Sequence, residues 1–106
     1  MDPRVSHRIP IHYPIVFLGD NFTGEGTVVD ISEEGCAVGS DATVGPGTRL
    51  TLDIFLPDVE LPIAIDQAVV RWSVDRVFGV EFLRMGTEEL QRLRRVVTPL
   101  EARPSH

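Results

Sequence analysis

One cysteine in 106 residues excludes an internal disulfide and any zinc site built on a cysteine cluster. That residue, Cys36, lies between Gly35 and Ala37 in an apolar run, where it reads as a small buried hydrophobe. Lysine is absent: all ten basic residues are arginine, so every cation the chain offers a ligand is a planar, bidentate donor. No apolar run approaches the length of a membrane span, and Arg4 and Arg8 break up the N-terminal segment. A transmembrane helix, signal peptide or transit peptide is therefore not expected, and a cytoplasmic location is. The three histidines, His7, His12 and His106, lack paired ligand spacing, so no metal site is expected.

Basic charge is scarce as well as uniform. The formal net charge is −6, which argues against a DNA- or RNA-binding protein, since such proteins owe most of their affinity to a basic surface. Between Asp20 and Asp66 stand ten acidic residues and a single base, Arg49. The N-terminal segment reverses the balance, with Arg4 and Arg8 against Asp2. An anionic ligand is to be sought there.

What is present is enough for one domain with one core. Period-2 patterning gives strand-like runs at 11–18, 26–32, 36–39, 49–56, 61–73 and 77–83. Between them lie turn clusters, among them "GDNFTG", "SEEG", "GPGT" and "SVDR". Six strands with short connections point to an antiparallel barrel, with a sandwich as the alternative. After Met85 the period changes to that of a helix. Thr87 is placed to cap it, Glu88 and Glu89 suit its positive end, Leu90, Leu93 and Val97 share a face, and Pro99 is expected to end it. Arg92, Arg94 and Arg95 read as a solvated face.

The segment "VVDISEEGCAVG", residues 28–39, carries the chemistry. In a strand, Asp30 and Ser32 project to one side while Val29 and Ile31 point into the core. Ser32-Glu33-Glu34-Gly35 fits a type I turn closed by a glycine in the left-handed conformation, and that glycine leaves open space above Asp30 and Ser32. A carboxylate beside a hydroxyl suits guanine, whose N1–H and exocyclic amine give two parallel donors. By itself the pattern more often describes a turn in which Asp and Ser bond their own backbone. Asp30 and Ser32 with a histidine do not make a nucleophilic triad, because no Gly-x-Ser-x-Gly elbow or oxyanion hole accompanies them.

Upstream stands "RVSHR", Arg4-x-x-x-Arg8, with 21 residues between Arg8 and Asp30. With these two motifs in this order the chain resembles the PilZ domain family, whose signature is Arg-x-x-x-Arg followed by Asp/Asn-x-Ser-x-x-Gly. "VGPGTRLTLDIFLP", "AVVRW", "FGVEF" and the closing helix extend the resemblance over nearly the whole chain. It implies a six-stranded antiparallel β-barrel with a C-terminal α-helix. Residues 1–9 would be a flexible arm carrying the first motif, 10–98 the barrel with its helix, and 99–106 a frayed tail.

The resemblance also implies a ligand, cyclic di-GMP, and no enzymatic activity. Arg4 and Arg8 would clamp its phosphates and guanine edges, Asp30, Ser32 and Gly35 would hold one guanine on the barrel, and Trp72 would pack against it, a core or barrel-end tryptophan being the alternative for that residue. Arg71, expected to face away from Trp72, is left without a role. Many relatives have an arginine where this chain has Pro3, which slightly favours one nucleotide per chain. Binding would order the arm into a surface for a downstream protein partner. The alternative is an adaptor of the same fold that has lost the nucleotide.

Overall fold

Alternating apolar residues become strands wherever one side of the run is buried. The computed structural model describes residues 9–57 and 59–101. Its strands are β1 (Ile9–Leu18), β2 (Thr23–Ile31), β3 (Gly35–Gly39), β4 (Arg49–Ile54), β5 (Ile63–Val74) and β6 (Val77–Arg84), and one helix follows, α1 (Thr87–Glu101). Every pairing is antiparallel, and the order β1-β2-β3-β6-β5-β4 returns to β1, so the sheet closes into a barrel. The barrel, rather than the sandwich, is the fold.

Inward-facing side chains fill the closed sheet. Phe17 of β1 meets Phe78 of β6 edge to face, with ring centroids 5.3 Å apart at 86°. Val28, Ile31, Cys36 and Val38 are fully buried around them, so Cys36 is the small core residue its neighbours suggested. Leu93 and Val97 of α1 join the same core cluster. Burying two such aliphatic chains contributes about 1.5–3 kcal/mol each, which is what docks the helix.

The helix differs from its sequence reading in three ways. The amide of Leu90 donates to the carbonyl of Gly86, which makes Gly86 the capping residue and puts Thr87 in the first turn. Pro99 lies inside α1, which runs on to Glu101, so the tail expected from residue 99 begins as helix. Proline is tolerated there because the bond it forgoes would have reached the carbonyl of Arg95, on an exposed side of the last turns. The arginines are not simply a solvated face. Arg92 donates to the carbonyl oxygens of Leu61 and Pro62 and pairs with Glu89 at 3.1 Å, and Glu89 Oε1 accepts from the amide of Ala64 at 3.2 Å. One turn of α1 is thus fastened to the β4–β5 connection and the start of β5. Among the described residues no helix is long and apolar enough to cross a membrane.

Candidate functional site

The second sequence motif occupies the end of β2, the turn after it and the start of β3. Asp30 pairs with Ala37, Ala37 with Gly79, and Gly79 with Trp72, so Asp30 and Trp72 stand in one row across β2, β3, β6 and β5. Three strand spacings separate them, about 14 Å. Between them the outer face carries only a methyl group and a hydrogen. The result is a low floor with a carboxylate at one end and an indole at the other.

Gly79 explains where the indole lies. A Cβ there would collide with Nε1 and Cε2 of Trp72, so the ring rests over the glycine, and the residue stays 42% exposed. Trp72 is therefore an outer-face residue, not a core one. It borders an open cavity of about 820 Å³ that runs from Glu33 and Glu34 past Gly79 to Leu83, Met85 and Leu90.

Two β-bulges flank this row. In β2 the register slips between Val28 and Asp30. Val28 and Ile31, three apart, are both fully buried, while Val29 is only half-buried. The expected inward direction of Val29 is therefore wrong: the extra residue shifts the alternation by one, and Asp30 keeps its outer position because of it. In β5 the slip falls between Val70 and Trp72. Arg71 is the extra residue, and it shares the exposed face and the cavity with Trp72 instead of facing away. Its guanidinium grips Glu81 of β6, with Nε and Nη2 at 2.7 and 2.6 Å from Oε1.

The turn itself is built differently from the expected hairpin. Gly35 does not adopt the left-handed conformation. It is a buried β3 residue opposite Glu81, and a Cβ there would run into the carbonyl oxygen of Val80. Its missing side chain lets β3 and β6 approach rather than keeping solvent space open. The Ser32 hydroxyl accepts from the amide of Glu34 at 3.2 Å and faces the carbonyl of Gly35 at 3.4 Å, while the Ser32 amide donates to that same carbonyl at 2.9 Å. Serine thus acts as a local cap in this structure.

The two glutamates between Ser32 and Gly35 are tied down as well. Glu33 Oε1 accepts from Nε of Arg94 on α1 at 3.1 Å, and the carbonyl of Glu34 accepts from the amide of Phe82 at 2.8 Å. The acids Glu33 and Glu81 are each answered by an arginine of the barrel or helix, while Arg84, which also lines the cavity, forms no ion pair among the described residues.

Arg4 and Arg8 lie outside the described residues, as does the arm expected at 1–9 apart from Ile9. The described chain enters β1 at Ile9, the strand partner of Ile31, and continues at Pro10, the partner of Asp30. The first motif is therefore joined to the barrel beside the second. Of the expected site residues, Asp30 and Trp72 lie on the outer face in one row, Ser32 caps the turn after Asp30, and Gly35 is buried between β3 and β6. Sequence reasoning missed Arg71, Ala37 and the ties made by the two glutamates. Only Gly79 carried a readable signal, as a glycine inside a strand, where close approach of another group is the usual reason.

Three comparisons bear on the family and the fold. Residues 2–98 match the family model described as PilZ domain. A search of curated proteins gives no match. Among solved structures, the PilZ domain of CeSA from a cellulose-synthesizing bacterium aligns with a TM-score of 0.69 at 20% identity, covering 91% of this chain and 99% of that one. The Bacillus subtilis inhibitor of motility, MotI/DgrA, aligns with a TM-score of 0.75 at 23% identity, covering 97% of this chain and 54% of the other. This chain thus corresponds to about half of MotI/DgrA, and at these identities both likenesses are of fold.

Proposed function

The chain belongs to the PilZ domain family, and from that premise we propose that it is a cyclic di-GMP receptor of the cytoplasm that passes nucleotide binding on to a partner protein. The observation that carries the reading is the placement of Asp30. It stands on the outer face beside the point where the chain arrives from Arg4 and Arg8, at the head of a floor made of Ala37 and Gly79 that ends under Trp72.

Chemically the parts divide the work. Asp30 accepts from N1–H and the exocyclic amine of one guanine. No side chain larger than a methyl projects from the sheet between Asp30 and the indole of Trp72, which lies over Gly79 and offers a stacking face at the far end. Phosphates need cations; Arg71 and Arg94 are engaged with Glu81 and Glu33, and Arg4 and Arg8 supply them. Charged hydrogen bonds contribute roughly 1.5–3 kcal/mol each, so two arginines and one carboxylate account for most of the about 8 kcal/mol of a micromolar complex. Engagement of the arginines brings the segment before Ile9 across the barrel and creates a new surface for the partner. No bond is made or broken in the nucleotide.

Calorimetric titration with cyclic di-GMP tests this. Wild type is expected to bind, and Arg4→Ala, Arg8→Ala and Asp30→Ala to lose most of the heat. Binding should weaken as salt rises, because the phosphate contacts are charged. Absence of heat at tens of micromolar nucleotide would leave the second reading, an adaptor of the same fold without nucleotide. What favours that reading is the structural work done by two motif residues: Ser32 caps its own turn and Gly35 makes room for Val80.

A further inference from the structure

Leu61 is the most exposed large hydrophobic residue among those described, 71% accessible, and Val59 near it is 44% accessible. The backbone beneath Leu61 is held firmly. Arg92 bonds the carbonyls of Leu61 and Pro62, and the Glu89 carboxylate holds the amide of Ala64. An aliphatic side chain held out into water on a fixed backbone suits an interface, because the anchor is already ordered before anything docks on it.

The occupant is indicated by the charges around it. Val59, Leu61 and the exposed acid Glu60 form one wall of an open cavity of about 660 Å³, and the opposite wall is α1 with Glu88, Gln91 and Arg95. Glu88 and Arg95 are two helical turns apart on one side of α1, about 10 Å. Both are exposed, and among the described residues neither forms an ion pair. Acid at one end, base at the other and neutral Gln91 between them make a pattern complementary to itself. A two-fold axis across α1 near Gln91 sets Glu88 of each copy against Arg95 of the other, with the helices antiparallel. A partner bearing one sign of charge would meet repulsion at one end.

We propose that the protein forms a two-fold symmetric homodimer through α1 and the β4–β5 connection, with Leu61 of each copy seated in the cavity of the other. This surface is separate from the Asp30–Trp72 row and does not depend on the nucleotide reading. The patch is small, so the dimer belongs to the weak class of interfaces.

Sedimentation velocity and equilibrium from about 10 µM to about 1 mM, the range a small interface calls for, test it. Wild type should move from 11.8 kDa toward twice that mass as concentration rises. Leu61→Asp, Glu88→Arg and Arg95→Glu should each remain monomeric, with circular dichroism verifying that they fold. The double variant Glu88→Arg/Arg95→Glu, which swaps the charges, should dimerise again. A monomer at every concentration overturns the proposal, as does a dimer indifferent to Leu61→Asp or a double variant that fails to reassociate.

Discussion

Arg94 of the helix and Glu33 of the β2–β3 turn meet at 3.1 Å, Nε to Oε1, across 61 residues of sequence. The pair joins the only helix among the described residues to the turn that follows Asp30. Both side chains are about half exposed, at 54% and 41%, so the bond contributes little energy and mainly fixes position. Arg94→Ala is expected to leave unfolding free energy within about 1 kcal/mol of wild type. It should also shift the backbone NMR signals of Glu33 and Glu34. Unmoved signals would mean the pair does not form in solution.

Two glycines on neighbouring strands should respond differently to the same added methyl. In Gly35→Ala the new Cβ meets backbone, the carbonyl of Val80, which cannot swing aside. A loss of about 1–3 kcal/mol in urea unfolding is expected. In Gly79→Ala the methyl meets the Trp72 ring, a half-exposed side chain that can rotate away. Stability should change less, while the tryptophan emission moves to the red as the indole lifts from the sheet. Equal stability losses in the two variants would contradict this account.

Arg92 has a side chain only 21% exposed and bonds two carbonyls that have no strand partner of their own. Arg92→Ala should cost about 1.5–3 kcal/mol, the range for hydrogen bonds to a charged group. Because Arg92 also positions Glu89, hydrogen exchange at the Ala64 amide should accelerate more than exchange in β2 or β3. Uniform acceleration would show instead that the helix undocks as a whole.

Truncating Leu93, which is fully buried, should show what docking the helix is worth. Leu93→Ala is expected to destabilise by about 2–5 kcal/mol in chemical denaturation. A loss below 1 kcal/mol would place the helix outside the cooperative unit.

For the nucleotide reading, Trp72→Ala should weaken cyclic di-GMP binding roughly 5- to 150-fold, the equivalent of one stacking contact. Wild-type tryptophan fluorescence should be quenched on titration. An unchanged affinity would confine the ligand to the Asp30 end of the floor.

The strands were legible where two signals agreed: period-2 burial, as in Arg49–Ile54, and a turn cluster such as "SVDR", which closes on two residues with Asp75 at a φ of 55°. The bulges were not legible. A bulge is a property of two strands in register, so nothing in "VVDIS" alone says that Val29 will be the extra residue, nor in "AVVRW" that Arg71 will turn to the side of Trp72. Gly35 was read from its neighbours in sequence as a turn glycine, but its constraint comes from Val80, which lies far along the chain. Asp30, Ser32 and Gly35 announced themselves as a motif. The floor between Asp30 and Trp72 did not, because Ala37 and Gly79 matter there for what they lack.

The strand order has a kinetic side. The barrel closes through β1 with β4 and β3 with β6, pairings that must wait for long stretches of chain, so folding is expected on the slow, millisecond-to-second side for its size. The surface between Asp30 and Trp72 inherits that delay. A nascent chain that has emerged as far as Gly39 holds all of Asp30, Ser32 and Gly35, yet until β6 arrives Gly79 is not beside Ala37 and the row to Trp72 does not exist. Assembly of this row and closure of the barrel are therefore one event.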